Sequence, residues 1–334
     1  MTNNKIALCF IISYDHVLNK EDIWKEWISF NADIINVYFY YKERSKIQSP
    51  WILKHAIPLN YIHKTSYFHV IPAYLSSMAY AMSHDSRNQW FCMLTDSCCP
   101  IISPTRFRFM FYQHCSQSIL SWRKAWWNIT FHRRANLALL PQELRLANDP
   151  WFVLTREHIY LIMNFYRKNE EMARKICEGG LANESLFAIA LHSQGELLSS
   201  SILNTPSHAA DWSRMASTTS PHVFKEANET DTHFIENCLK TSNHKFLFIR
   251  KVHRDFPDDV LKYYIYDFPN EEREKKEIEG EKEARTKGEI EARTKGVKEK
   301  SMTDLFIDII YQGIAFLVIY FLLVLFYDLY FIFK

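Results

Sequence analysis

Two mostly apolar segments of this sequence each contain one acidic side chain that could take part in catalysis or ligand binding. The first is WFCMLTDSCCP (90–100), an apolar run that ends in Asp96, Ser97 and Cys98. A carboxylate at the carboxyl end of a strand can contact a sugar or a metal ion. A divalent cation would call for a second acidic residue beside Asp96, so this segment disfavours a metal site. The alternative role for Asp96 is that of a turn or helix N-cap residue.

The second segment is GGLANESLFAIALH (179–192), in which Glu184 follows two glycines. Its pattern predicts a helix that is capped by Asn183 and has Glu184 in its first turn. A helix dipole would stabilise the charged carboxylate at that end, which suits a general base if the turn faces a cleft. An ordinary capping glutamate is the alternative.

Two further segments place cations and a tryptophan after short apolar runs. In HAADWSR (208–214), Trp212 and Arg214 are predicted to lie in a loop, where the tryptophan could stack on a sugar or anchor the loop to the core. In FLFIRKVHRDFP (246–257), a predicted strand ends in Arg250 and Lys251. An arginine fork and a lysine point charge at that end could hold a diphosphate; a solvated strand end is the alternative.

Charge and motifs exclude several function classes. Lys+Arg 40 against Asp+Glu 38 gives the 334-residue chain a net charge of +2, so we expect no nucleic-acid partner. The basic and aromatic stretch WRKAWWNITFHRR (122–134) is then left as an acceptor-binding or membrane-facing surface. The sequence contains neither a dinucleotide fingerprint nor a P-loop motif.

Strand and helix patterns alternate along the first 268 residues and predict the elements that must position these segments. The predicted strands are 6–13, 37–41, 90–95, 151–155 and 246–249, and the predicted helices are 21–30, 70–82, 156–168, 185–192 and 231–239. Such alternation is typical of an α/β fold with a mostly parallel sheet flanked by helices. Ligands of these sheets bind at the carboxyl ends of the strands, where the segments described above lie.

Beyond residue 268 the composition changes twice. Residues 269–303 are highly charged and repeat EARTKG at 283–288 and 291–296, which predicts a solvated and partly helical stalk. Within residues 304–334, the stretch 309–327 contains 19 residues without a charge, long enough to cross a bilayer as a helix. We therefore predict a globular body (1–268), a charged stalk (269–303) and a C-terminal transmembrane anchor (304–334).

The N-terminus and the cysteines predict the compartment. Residues 6–12 form a short apolar run without a small-residue cleavage site, which indicates a first strand and not a signal peptide. The seven cysteines are irregularly spaced and form no C-x-x-C pair, which is typical of buried thiols in a reducing compartment. We expect a single-pass membrane protein with its body in the cytosol.

Six blocks of the body, taken in order, resemble the core-2/I-branching β-1,6-N-acetylglucosaminyltransferase family, glycosyltransferase family 14, with its plant-type relatives. The blocks are KIALCFIIS (5–13), MLTDSCCPI (93–101), PWFVLTREHIYLI (150–162), NESLFAIAL (183–191), HAADWSRM (208–215) and KFLFIRKV (245–252). The W-F-x-L-T-R-E-H pattern is the most specific of them. Together they cover nearly the whole body.

The resemblance implies a GT-A-type fold and an inverting transfer from a UDP-sugar, with N-acetylglucosamine or a xylose-like sugar as the group moved. The acceptor would be a hydroxyl of a glycan or glycoprotein, and neither a metal ion nor another cofactor would be needed. The resemblance places the catalytic base on Glu184. It assigns the leaving diphosphate to Lys251, with Arg214 or Arg250 as a second cation.

The resemblance also implies that Trp212 lies beside the acceptor and that Cys98, in the same block as Asp96, lines the nucleotide-sugar cleft. Three features depart from the family. Its members are usually anchored at the N-terminus in the secretory pathway, so the resemblance also allows the secretory lumen as the compartment. Several of its secretory members carry disulfides. In this chain, Asn183 stands where the family has an acidic residue before the base. A membrane-tethered protein that binds glycan or nucleotide on an inactive transferase scaffold is the alternative function.

Overall fold

The computed structural model describes residues 3–12, 15–125, 129–241 and 246–268. The predicted stalk (269–303) and transmembrane anchor (304–334) lie outside the described residues, so both stay predictions. Within the described ranges, no helix is both long and apolar enough to cross a membrane.

Short strands alternate with helices along the described chain. The strands are β1 (Lys5–Ile12), β2 (Ile35–Tyr41), β3 (Asn88–Thr95), β4 (Cys99–Pro100), β5 (Ser118–Ile119), β6 (Trp122–Lys124), β7 (Leu146–Asn148), β8 (Val153–Thr155), β9 (Ile202–Leu203), β10 (His208–Ala210) and β11 (Phe248–Arg250). The helices are α1 (Glu21–Ser29), α2 (Pro50–His55), α3 (Ile71–His84), α4 (Pro104–His114), α5 (Arg156–Lys168), α6 (Glu170–Glu178), α7 (Leu186–His192), α8 (Glu229–Thr241) and α9 (Asp258–Lys262). These bounds confirm the predicted strand–helix alternation.

The largest sheet has six strands in the order β2-β1-β3-β8-β5-β9. Strand β1 lies between β2 and β3 and is parallel to both, while β8 runs antiparallel to β3 and β5. Because β1 is covered on both faces, its sequence is a continuous apolar run and not an alternating one. The predicted α/β class with a central, mostly parallel sheet is confirmed.

Alternate residues of β1 enter two separate hydrophobic cores. Leu8 and Phe10 pack in one core with Trp24 of α1 and Phe107 of α4. On the other face, Ala7, Cys9 and Ile11 pack in a core with side chains of α3, α5 and α7. The helices therefore flank the sheet on both sides, as the strand pattern predicts.

A three-stranded sheet in the order β10-β11-β4 carries the C-terminal part of the site. Strands β10 and β11 are parallel and end level with each other, with Ala210 opposite Arg250. Strand β4 pairs antiparallel with β11, through Ile249 and Cys99. Since β4 follows β3 after only three residues, the segment 96–98 joins the two sheets.

Candidate active site

The junction of the two sheets brings together the predicted residues of the 90–100 and 246–257 segments. The main-chain N–H of Val252 donates to the carbonyl of Ser97 at 2.8 Å, which holds the end of β11 against the turn after β3. Asp96 lies in that turn and Cys98 follows it, buried. Helix α4, the next helix, is capped by Ser103, so the N-cap alternative for Asp96 is wrong.

Arg250 is a buried cation without a hydrogen-bonded carboxylate. Its side chain is 4% exposed, and its guanidinium carbon lies 3.3 Å from the ring centroid of Trp151. Its Nε and Nη1 atoms have no hydrogen-bond partner among the described residues. Burial lowers the pKa of Arg250, while Cys98, Tyr74 and Asp96 act in the opposite direction. A cation in this state is suited to receive an anionic ligand.

Lys251 and Asp96 extend this charged group. The Nζ atom of Lys251 donates to Oγ of Ser220 at 2.7 Å, and burial followed by the like charge of Arg250 lowers its pKa. Burial raises the pKa of Asp96, whereas the charges of Arg250 and Lys251 lower it. The cations Arg250 and Lys251 and the carboxylate of Asp96 are therefore close enough to interact electrostatically.

Glu184 lies at the end of a 3₁₀ turn, Ala182–Glu184, and not inside a helix. Helix α7 begins two residues later, after Ser185, so the prediction that Asn183 caps a helix with Glu184 in its first turn is wrong. The N-terminus of α7 is capped by a residue distant in the sequence, Asn148, whose Oδ1 accepts the main-chain N–H of Ala188 at 3.2 Å. Asn148 also donates from Nδ2 to the carbonyl of Asn183 at 2.9 Å, which fixes the turn that carries Glu184.

The pKa of Glu184 is raised, mainly by burial. The nearby charges of Arg134 and Arg250 lower it, while that of Asp149 raises it further. The predicted stabilisation of the charged form is therefore wrong in its sign, because desolvation outweighs the nearby cations. A raised pKa makes Glu184 a stronger base than an exposed glutamate.

Arg134 is the last residue of the basic and aromatic stretch 122–134, and its contact with Glu184 was not predicted from the sequence. Its Nη2 lies 3.7 Å from Oε2 of Glu184, and its side chain is buried. The glycine pair allows this approach, since a Cβ at Gly179 would lie 2.3 Å from the carbonyl oxygen of Arg133 and one at Gly180 would lie 2.8 Å from that of His132. The two adjacent glycines are the local signal for this close approach of the backbones.

Tyr74 of α3 interacts electrostatically with both Glu184 and Arg250. Its buried hydroxyl donates to the carbonyl of Pro150 at 3.0 Å and is hydrogen-bonded to the Asn183 side chain. Burial raises its pKa most, and Arg250, Cys98 and Glu184 all contribute electrostatically. Glu184 and Arg250, 66 positions apart in the sequence, therefore belong to one site.

Arg214 lies in a different environment from Arg250. It donates from Nε to Asp211 at 2.6 Å and from Nη1 to Asp231 at 2.8 Å. Although burial opposes its charge, these bonds hold the pKa of Arg214 above its usual value. The charge of Arg214 is thus already compensated by two carboxylates, and its diphosphate role stays a prediction.

Trp212 projects from the loop after β10 and is 48% exposed. The alternative that it anchors the loop to the core is therefore wrong, and a role beside an acceptor stays a prediction. Across the described residues, no group of three or more His, Cys, Asp or Glu side chains is arranged to hold a metal ion. All seven cysteines are free thiols, and four of them are buried.

A family model matches most of the globular part of this chain. The family model for the Core-2/I-Branching enzyme matches residues 40–239, which is more than half of the chain. The matched region contains Tyr74, Asp96, Arg134 and Glu184, whereas Arg250 and Lys251 follow it. No curated protein matches the chain.

Proposed function

Because this chain belongs to the Core-2/I-branching enzyme family and is thus a glycosyltransferase, we propose that its donor is a UDP-sugar and that transfer inverts the anomeric carbon. The group moved would be N-acetylglucosamine or a xylose-like sugar, and the acceptor a hydroxyl of a glycan or glycoprotein. The observation that carries this proposal is the interaction of Glu184, a carboxylate whose pKa is raised, with Arg250, a buried cation that has two nitrogens without a hydrogen-bond partner among the described residues.

On the donor side, Arg250 and Lys251 would bind the diphosphate. As the bond from the sugar C1 to the phosphate oxygen breaks, negative charge grows on the departing UDP. Fixed cations in a desolvated site stabilise such charge without having to reorganise. The Nε and Nη1 atoms of Arg250, which have no hydrogen-bond partner among the described residues, support the assignment.

On the acceptor side, Glu184 would remove the proton from the attacking hydroxyl. The oxygen attacks C1 from the face opposite UDP, the new C–O bond forms, and the proton passes to the Glu184 carboxylate. General-base assistance of this kind contributes about 10²–10⁴-fold. The raised pKa of Glu184 supports the role because the group must hold the proton during the step.

We propose that no metal ion takes part, with the two cations performing the electrostatic role that a metal has in other sugar transferases. The support is Asp96, a single carboxylate in the turn after β3 that faces Arg250 and Lys251. A GT-A-type arrangement and anchoring through residues 304–334 belong to the same proposal. The parallel sheet supports the first, and the 19 uncharged residues at 309–327 support the second.

A donor screen tests this function. The full chain is incubated with UDP-sugars, with and without glycan acceptors, and UDP release is measured together with product linkage. We expect release with one donor, a β-linked product from an α-linked donor, and no effect of EDTA. Retention of configuration or a strict Mn²⁺ requirement would contradict the mechanism, and UDP binding without any turnover would favour the inactive scaffold.

A further inference from the structure

Trp151 provides the flat surface on which Arg250 lies. Its ring centroid is 3.3 Å from the guanidinium carbon of Arg250. At that separation the guanidinium must lie flat on the indole, because an N–H directed at the ring would hold the carbon farther away. The N–H groups of Arg250 therefore spread parallel to the indole, and Nε and Nη1 have no hydrogen-bond partner among the described residues.

The indole face also stabilises the buried charge of Arg250. A cation that has lost its water costs free energy unless a neighbour stabilises it, and the side chain of Arg250 is 4% exposed. The face of an aromatic ring carries partial negative charge and stabilises a cation most where water is excluded. Because the indole is not an anion, it leaves the charge available to a ligand, unlike the two carboxylates that bind Arg214.

The main chain of residues 150–152 is held by three different elements, through three consecutive carbonyls. These accept, in order, the hydroxyl of Tyr74 (α3) at 3.0 Å, the hydroxyl of Ser207 at 3.1 Å and the main-chain N–H of Met93 (β3) at 2.9 Å. Ser207 directly precedes β10 of the smaller sheet, and β3 belongs to the larger one. The place of Trp151 is therefore fixed by one helix and both sheets.

A neutral histidine beside Trp151 holds Ser207. Nδ1 of His208 lies 2.9 Å from Oγ of Ser207, and the His208 ring centroid is 6.3 Å from that of Trp151. Since the Ser207 hydroxyl donates its proton to the carbonyl of Trp151, Nδ1 of His208 must donate to Oγ. Burial, followed by the charge of Arg250, lowers the pKa of His208 well below its usual value. His208 thus adds no second positive charge beside Arg250.

We propose that Trp151 is a positioning residue of the donor site and acts through Arg250. The indole holds the guanidinium plane in one orientation, so its N–H groups meet the donor diphosphate without first having to be ordered. The proposal rests on the proposed transferase function and adds an uncharged residue to its donor side. A lysine at position 250 would not replace the arginine, because an ammonium group has no plane to be held.

UDP binding by the full chain tests this role. The variants are Trp151→Leu and Trp151→Phe. Trp51→Leu is the matched control, because Trp51 is also half-buried and has a cation, Lys25, 5.7 Å from its ring centroid. We expect the UDP affinity to fall about tenfold in Trp151→Leu and about threefold in Trp151→Phe, which keeps a smaller aromatic face. Calorimetric titration measures these affinities, and the control should keep that of the unchanged protein.

Steady-state kinetics separate positioning from a general disturbance of the fold. In Trp151→Leu the KM for the donor should rise about tenfold while the KM for the acceptor stays the same. A rise of both KM values by the same factor would contradict the proposal. Trp151→Phe decides the same question where Trp151→Leu does not fold.

The stack of Trp151 on Arg250 can also be measured without a ligand. Trp151→Leu should lower the thermal midpoint of the unchanged protein more than it lowers that of Arg250→Met, because only the former contains the buried cation. A tryptophan that serves only as core packing would lower both midpoints equally. Equal losses would therefore contradict the proposal.

The positioning role and the transferase function fail differently. The same UDP affinity in Trp151→Leu and in the unchanged protein would contradict the positioning role and leave the transferase function standing. No binding of UDP by the unchanged protein would contradict the UDP-sugar donor and, with it, the role of Trp151.

Discussion

Three cations of the C-terminal part differ in how their charge is compensated. Arg214 is bonded to two carboxylates, Lys251 to a serine hydroxyl, and Arg250 stacks on Trp151 with two nitrogens that have no partner in the described ranges. An anion gains most from the cation that is both desolvated and uncompensated. The structure therefore ranks Arg250 above Arg214 as a diphosphate ligand, an order that residue type alone does not reveal.

Arg250→Met should weaken the binding of UDP and at the same time stabilise the free protein. Removal of a buried, uncompensated charge should raise the thermal midpoint of the free protein. It should also remove the stabilisation by UDP, which for an intact site is about 2.7 kcal/mol at a UDP concentration of 100 times Kd. Thermal unfolding with and without UDP measures both effects.

Arg214→Met is the control for that experiment. It leaves Asp211 and Asp231 buried without their cation, so it should cost about 3 kcal/mol of unfolding free energy while a shift with UDP persists. An unchanged UDP shift in Arg250→Met would remove Arg250 from the donor site.

Glu184→Gln should abolish transfer and leave UDP affinity nearly unchanged, because the amide cannot take the hydroxyl proton. In the unchanged protein, activity should fall as the pH drops through the raised pKa of Glu184, since protonation removes the base. The pH profile of kcat/KM measures this fall of activity on the acidic side. Full activity of Glu184→Gln would contradict the assignment.

The same carboxyl predicts a dependence of stability on pH. A raised folded-state pKa contributes stability that is fully present below the unfolded pKa and is lost as the pH rises through the folded pKa. Glu184→Gln should therefore gain stability relative to the unchanged protein as the pH rises through that window. Denaturant unfolding at several pH values measures the difference, and a constant difference would contradict the direction of the pKa shift.

At the scale of elements, the proposed base Glu184 is positioned by contacts between segments far apart in the sequence. The 3₁₀ turn that ends at Glu184 is held by Asn148 at the end of β7, which also caps α7. The adjacent glycines admit the backbone of residues 132–136 and so bring Arg134 to the carboxylate. The position of Glu184 thus depends on three segments and not on its own helix.

Gly179→Ala should disturb this arrangement. Its Cβ would lie 2.3 Å from main-chain atoms of Arg133 and Asn136, so the backbone must move. A shift of about 1 Å at a catalytic group can lower the rate about 100-fold. Gly195→Ala is the matched control, since its Cβ meets no atom within 4 Å and only its φ of 78° is unfavourable. Steady-state kinetics of both variants measure the effect, and equal activities would show that the close approach is dispensable.

At the scale of the whole molecule, the site forms where the two sheets meet. The segment 96–98 leaves the six-stranded sheet and enters the three-stranded one, and the N–H of Val252 bonds to Ser97 across the junction. Strands β10 and β11 end together, so Asp211 and Lys251 emerge side by side. The proposed donor site therefore requires both sheets to be docked.

UDP should consequently protect both sides of this junction in hydrogen exchange. We expect slower exchange at Cys98 and at Val252, by up to about 100-fold at a UDP concentration of 100 times Kd, if exchange needs the junction to open. Strand β9, at the far edge of the larger sheet, serves as the internal control. Protection of only one side would contradict a donor site shared by the two sheets.

The bounds of an element were predicted well where the residues that start and end it are neighbours in the sequence. Helix α5 begins and ends where predicted, because Thr155 caps it by accepting the N–H of His158 at 3.3 Å. The start of α7 was predicted to within one residue, but its cap was predicted wrongly because Asn148 is distant in the sequence. The contact between Arg134 and Glu184 was missed for the same reason, since only tertiary packing places the two side chains together.

The sequence by itself determined the α/β class, the family blocks and the placement of Asp96, Arg250 and Lys251 at the ends of strands, since period and motif order are local properties. Only the tertiary structure decided which arginine is uncompensated and in which direction the pKa of Glu184 moves. Both depend on desolvation and on charges that arrive from distant segments, and neither can be read before the chain has folded around them.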